Sequence, residues 1–205
     1  DRSGNPANAR QLQPPVDRGV VQASLGQIGL LNQTVLNRVD QVMAGRDGKT
    51  GIAAGDGTPT VGVWVQGMGS ILNQAARDGA AGYRATLRGA SLGFDKQISE
   101  RLLVGLGAGF GQGEIQADDG RAITNADSYS GSLYGNLTRD AFYLDAILSY
   151  GYSRYAGSRS IAFGTTHRMA KGNYGGHQYA GYLEGGYAIQ AGGVTVTPLA
   201  SLHGL

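Results

Sequence analysis

Between Leu102 and Gly111 the chain alternates with a strict period of two. Leu102, Val104, Leu106, Ala108 and Phe110 fall on even positions, and Gly105, Gly107, Gly109 and Gly111 sit between them. Successive side chains of a strand point to opposite faces, so this segment has one bulky apolar face and one nearly bare face. The pattern recurs. Phe142, Leu144, Ala146, Leu148, Tyr150 and Tyr152 oppose Asp145, Ser149, Gly151 and Ser153; Tyr179, Leu183, Tyr187 and Ile189 oppose Gln178, Glu184 and Gly186. A bare face cannot be the packed core of a water-soluble barrel, because glycine leaves voids where a close-packed interior needs side chains. It can line a space that something else fills. The apolar faces, with aromatics near their ends (Tyr150, Tyr152, Tyr179 and Tyr187), then meet lipid.

The alternation and its interruptions predict seven strands, at about 61–71, 84–97, 101–116, 126–139, 141–156, 168–190 and 194–203. Tight joints near Ser99-Glu100, Arg139-Asp140 and Gly192-Gly193 alternate with longer polar ones at 72–83, 117–125 and 157–167. Short turns at one rim and long loops at the other are the asymmetry of an outer-membrane barrel. The expected fold class is all-β: an antiparallel up-and-down transmembrane barrel, incomplete in this chain.

Before the strands the period differs. Val21, Leu25, Ile28, Leu31, Val35, Val39 and Val42 recur at three- and four-residue steps, which predicts a helix over 17–44, with Asp17 as N-cap and Gly45 as C-cap. Such a helix is about 40 Å long, close to the thickness of a bilayer. Its Gln and Asn content unfits it for lipid and suits a polar lumen. Arg38 is expected to pair there with a lumen carboxylate, Asp95, Asp145 or Glu184. Gln178 lies on the polar face, and Trp64 opposes Val61, Val63 and Val65, which favours a lumen position. Residues 1–16 are expected to be a disordered tail, and 45–60 a Gly-rich linker into the barrel segment at 61–205.

Composition excludes other classes. Glycine numbers 36, but all eleven tyrosines lie between Tyr83 and Tyr187, which separates this chain from low-complexity disorder. The absence of cysteine suits passage through an oxidising periplasm, and a net charge of +2 gives no field for nucleic acid. No apolar run approaches the ~18 residues of a transmembrane helix, whereas a barrel strand needs only ~9–11. Asp1 opens a polar stretch with no signal peptide, so the chain is expected to start within a longer precursor.

Chemistry-bearing motifs are weak. Gly89-Ala90-Ser91-Leu92-Gly93 has the G-x-S-x-G spacing of a nucleophile elbow, but the alternation runs straight through it where the elbow needs a strand-to-helix turn. His167, His177 and His203 form no ligand pair, and the glycines at 105–111 do not fit a dinucleotide fingerprint. No enzyme, metal or cofactor is expected.

Several segments in order resemble the autotransporter β-domain, the translocator of type V secretion. They are Gly62-Val63-Trp64-Val65-Gln66-Gly67, Leu92-Gly93-Phe94-Asp95, Asp127-Ser128-Tyr129 with Leu133-Tyr134-Gly135, and Tyr143-Leu144-Asp145 with Leu148-Ser149-Tyr150-Gly151-Tyr152. Gly176-His177-Gln178, Tyr182-Leu183-Glu184-Gly185-Gly186-Tyr187 and Val194-Thr195-Val196-Thr197-Pro198 follow. The resemblance implies a twelve-stranded barrel in the outer membrane of a Gram-negative bacterium, a helix inside its pore, and export of an N-terminal passenger with help from the barrel-assembly machinery. It departs from the family in two ways. Leu205 falls within the seventh strand, so the sequence is expected to be a fragment, or a truncated product that does not insert alone. The helix has Asn32-Gln33 and Asn37-Arg38 but no Asn-Asn pair, so self-cleavage of that type is not expected. The alternatives are a porin-like or structural outer-membrane barrel without a passenger, and a soluble β-rich domain.

Overall fold

A computed structural model describes residues 18–46, 61–76, 82–163 and 166–204. The expected tail at 1–16, the Asp17 cap and residues 47–60 of the linker lie outside the described residues. One helix, α1 (Arg18–Arg46), precedes six long strands: β1 (Val61–Gln74), β2 (Tyr83–Ser99), β3 (Leu102–Ala117), β4 (Ala122–Arg139), β5 (Phe142–Phe163) and β6 (Thr166–Tyr187). Three short strands follow, β7 (Ile189–Ala191), β8 (Val194–Val196) and β9 (Leu199–Gly204). A seven-stranded sheet runs in the order β1-β2-β3-β4-β5-β6-β9, with every neighbouring pair antiparallel. This up-and-down order is the expected one.

The face assignment follows the alternation. On β3, Leu103, Gly105, Gly107, Gly111, Gly113 and Ile115 are buried against the helix side, while Leu106, Ala108 and Phe110 stand exposed on the other. On β5, Asp145, Ile147, Ser149, Gly151, Ser153 and Tyr155 are buried, and Leu148 and Tyr150 exposed. The outer face is therefore the apolar one, the inverse of a soluble barrel. Its aromatics fall in register: Phe110, Tyr129, Tyr152 and His177 form one row across β3–β6, with the Phe110–Tyr129 rings 5.3 Å apart and the Tyr152–His177 rings 5.0 Å apart. The next row toward the β5–β6 turn is Arg88, Gln112, Asp127 and Arg154. At the opposite rim Phe142 pairs with Tyr187. Phe142 to Tyr152 is about eleven residues, the length with which a tilted strand crosses a bilayer.

Four expectations need correction. The strands run past their predicted ends: β1 reaches Gln74, β4 begins at Ala122, and β5 and β6 meet across residues 164–165 where a long loop was expected. Beyond Tyr155 and Ala156 neither face of β5 is buried, so alternation stops while the backbone ladder continues, as in the Ser160–Met169 and Ile161–Arg168 pairs. The predicted strand at 194–203 is two pieces, because Thr197-Pro198 separates β8 from β9; proline has no N–H for a ladder, although its carbonyl accepts from Tyr187 N at 3.1 Å. The Gly192-Gly193 turn closes the small β7–β8 hairpin, both residues having positive φ (56° and 87°). Finally, α1 continues through Gly45 to Arg46, and Val21, counted in the apolar stripe, is 55% exposed.

Candidate functional site

The helix packs on the bare face of the sheet, touching β1 through β6. Its buried side is mixed: Val20, Ala23, Ile28, Leu31, Val35 and Val39, but also Gln27, Asn32 and Thr34. A wall of glycine and serine explains the mixture. It offers backbone and hydroxyl groups close to the helix, so polar side chains can be buried with partners. Ser149 Oγ donates to Asn32 Oδ1, a contact between residues far apart in the chain. Two apolar clusters hold the ends. Val20 and Ala23 pack with Ala85, Leu87, Ile115, Ala126 and Tyr155; Leu31, Val35 and Val39 pack with Trp64, Leu103, Tyr134 and Ile147.

The most connected group is an ion pair from helix to wall. Arg38 Nε donates to Asp95 Oδ2 at 2.8 Å and Arg38 Nη2 donates to Asp95 Oδ1 at 3.0 Å, a two-pronged pair. Asp95 is 3% exposed and also accepts from Tyr134 Oη at 3.2 Å, while Trp64 Nε1 donates to that same Tyr134 hydroxyl at 2.9 Å. Arg38 from α1 and Tyr134 from β4 thus converge on the Asp95 carboxylate of β2, with Trp64 from β1 supporting Tyr134. Glycine makes the room. A Cβ at Gly62 would strike both Arg38 and Asp95, one at Gly93 would enter the Trp64 ring, and one at Gly105 the Tyr134 ring.

Of the three carboxylates named as partners for Arg38, Asp95 makes the contact. Asp145 and Glu184 are in register with each other on the same face as Asp95, and they are engaged elsewhere. Asp145 accepts from Asn136 Nδ2 at 2.7 Å; Glu184 accepts from Tyr143 Oη at 2.8 Å and from Tyr182 Oη. Gln178 Nε2 donates to Ser153 Oγ and Tyr155 Oη at 3.2 and 3.3 Å, away from the Arg38 group. Trp64 is 8% exposed and packs beside Val35 and Leu31. Sequence reasoning missed Tyr134, Asn32 and Gln27. The available signal was phase: Tyr134 shares a register row with Asp95 and Gly105. Ser91, the residue of the G-x-S-x-G spacing, lies mid-strand with its Oγ donating to Gln66 O at 3.4 Å.

An open up-and-down sheet with an apolar exterior and a helix held on its glycine side defines the class, an outer-membrane β-barrel segment with an internal helix. The family model described as the autotransporter beta-domain matches residues 63–205. The chain belongs to the autotransporter β-domain family, as the sequence motifs implied, and its setting is the Gram-negative outer membrane. An "Extracellular serine protease" of Serratia marcescens is 27% identical over 194 residues, covering 94% of this chain and 18% of that protein. "Outer membrane protein B" of Rickettsia prowazekii (strain Madrid E) is 31% identical over 151 residues, covering 69% of this chain and 9% of that protein. The chain therefore spans less than a fifth of either relative. Among solved structures, the translocator domain of autotransporter NalP from Neisseria meningitidis aligns with a TM-score of 0.58 at 18% identity, over 84% of this chain and 57% of that chain. The β-domain of the Bordetella autotransporter Brka aligns with a TM-score of 0.54 at 21% identity, over 70% and 56%.

Proposed function

We propose that this chain is the pore-entering helix and the first part of the barrel of a translocator that carries an N-terminal passenger across the outer membrane. In this reading α1 is the linker between passenger and barrel, and 61–205 begins the barrel wall. The barrel-assembly machinery is the partner that inserts it. The reading gives the chain no catalytic step. The observation that supports it best is the two-pronged Arg38–Asp95 pair, buttressed by Tyr134 and Trp64. A charged bond from helix to wall is useful only if the helix must stay in the pore once it arrives. A helix in the lumen also seals it, so Arg38 on that helix would face the wall, and Trp64, Asp95, Asp145, Gln178 and Glu184 on the wall would face the helix and not the lipid.

The test is a charge reversal in the full-length parent protein reconstituted into planar bilayers. Arg38→Glu is expected to raise pore conductance and lower the melting temperature, and Asp95→Arg added to it is expected to restore both. Unchanged conductance and stability in Arg38→Glu would contradict the latch. Surface display of the upstream segment in cells tests export itself, and a parent protein with no upstream segment would favour a porin-like barrel.

A further inference from the structure

The outer face of β3–β6 carries a shallow trough of ≈ 960 Å³. It arises because small residues interrupt a bulky surface. Ala108, Gly131, Tyr150 and Tyr179 share one register row; Leu106, Leu133, Leu148 and Gly181 share the next. The three leucines are well exposed and stand as walls. Gly131 is the floor: a Cβ there would meet only Gly107 O, at 3.8 Å. The trough lies below the row of Phe110, Tyr129, Tyr152 and His177, at the depth of acyl chains.

Above the aromatic row β5 and β6 turn cationic, while β3 and β4 carry Glu114 and Asp127 on the same outer face. From Ala146 to Leu183 there is no Asp or Glu, while Arg154, Arg159, Arg168 and Lys171 are basic. Arg154 and Lys171 are exposed on the outer face, and the Arg154 guanidinium lies 5.8 Å from the centroid of the Tyr152 ring. Asp127 is in register with Arg154 across β4–β5 and accepts from Gln112 Nε2 at 3.2 Å, and Glu114 of β3 accepts from Gln116 Nε2. Tyr150 to Arg154 is about 13 Å along the strand, and Arg154 to Lys171 spans a similar distance between rows.

We propose that this face binds a phosphorylated glycolipid of the outer leaflet, the lipopolysaccharide class. One acyl chain lies in the trough over Gly131, the sugar rests on the Tyr152–His177 row, and separate phosphates meet Arg154 and Lys171. Two cations set apart on one surface match a lipid with more than one phosphate better than a phospholipid with one. The inference rests on the outer face meeting lipid, and it goes beyond the translocator reading.

The experiment uses the full-length parent protein extracted in mild detergent, with bound lipid measured by native mass spectrometry. Wild type is expected to retain lipopolysaccharide, and excess phosphatidylglycerol to displace little of it. Arg154→Glu with Lys171→Glu is expected to retain about tenfold less, the loss of charge-assisted contacts. Gly131→Leu fills the trough and lowers retention, while Arg101→Glu in the β2–β3 turn at the opposite rim does not. Heat-modifiable migration on gels reports folding for every variant, which separates a failed lipid site from a failed barrel. If Gly131→Leu does not fold, the charge pair alone decides. Equal retention by the charge variant, equal loss with Arg101→Glu, or free exchange with phosphatidylglycerol would each overturn the proposal.

Discussion

The two faces of the sheet are built from the same strands and meet opposite surroundings. On β3 the outer face carries Leu106 and Phe110, 59% and 43% exposed, and the inner face carries glycine. Glycine also occurs outside, at Gly131, but there an added Cβ makes only ordinary contact with Gly107 O at 3.8 Å; inside, at Gly93 and Gly105, it would penetrate an aromatic ring. The residue type is the same, and the cause of its presence differs. Inner glycines make room for a helix and its supporting side chains, whereas outer ones shape a surface against a deformable solvent. The inner face buries charge with partners, as at Asp95, whereas the outer face of β3–β6 carries no charge between the rows of Phe142 and Tyr152.

This contrast can be broken by design. Leu148→Arg on the outer face, midway between Phe142 and Tyr152, is expected to cost about 2–4 kcal/mol in a bilayer-reconstituted unfolding titration. Gln66→Arg, an exposed position on the inner face of β1, is expected to change stability by less than about 0.5 kcal/mol. A similar cost at both positions would abolish the difference in surroundings. Arg38→Met leaves the buried Asp95 carboxylate with Tyr134 alone and is expected to cost about 2 kcal/mol in the same titration. Gly105→Ala pushes a methyl into the Tyr134 ring and is expected to cost about 1–3 kcal/mol, against about zero for Gly131→Ala. Trp64→Phe keeps the ring volume near Val35 but loses the bond to Tyr134, an expected loss of about 1 kcal/mol.

Strand phase was legible because lipid and lumen select opposite residue types at every second position. The extent of the strands was not. Past Ala156 neither face of β5 is buried, so Gly157 to Ala162 carry no alternation and read as loop, although the ladder to β6 continues. The helix was legible, its facing less so. An apolar stripe includes Val21 and omits Gln27 and Asn32, because the rule assumes an apolar wall, whereas this wall is glycine and serine. Sequence narrowed the partner of Arg38 to three carboxylates on the correct face but could not choose among them. That choice depends on the height of the helix against the wall, which Gly62 and Gly105 set by leaving space beside Asp95. The phase of Tyr134 placed it on the inner face, but its role was not legible for the same reason: it exists only across β1, β2 and β4.

The most direct test of the two-faced wall is a spin-label scan along β5 in the full-length parent protein in lipid, one cysteine at a time from Leu144 to Ala156, made simple by the absence of native cysteine in this chain. Accessibility to oxygen is expected to peak at 144, 146, 148 and 150 and to fall at 145, 147, 149 and 151. From Arg154 onward the outer positions should switch to accessibility by a water-soluble nickel complex. Peaks at the odd positions, or no period of two, would contradict the assignment of lipid to the apolar face and of the helix to the glycine face.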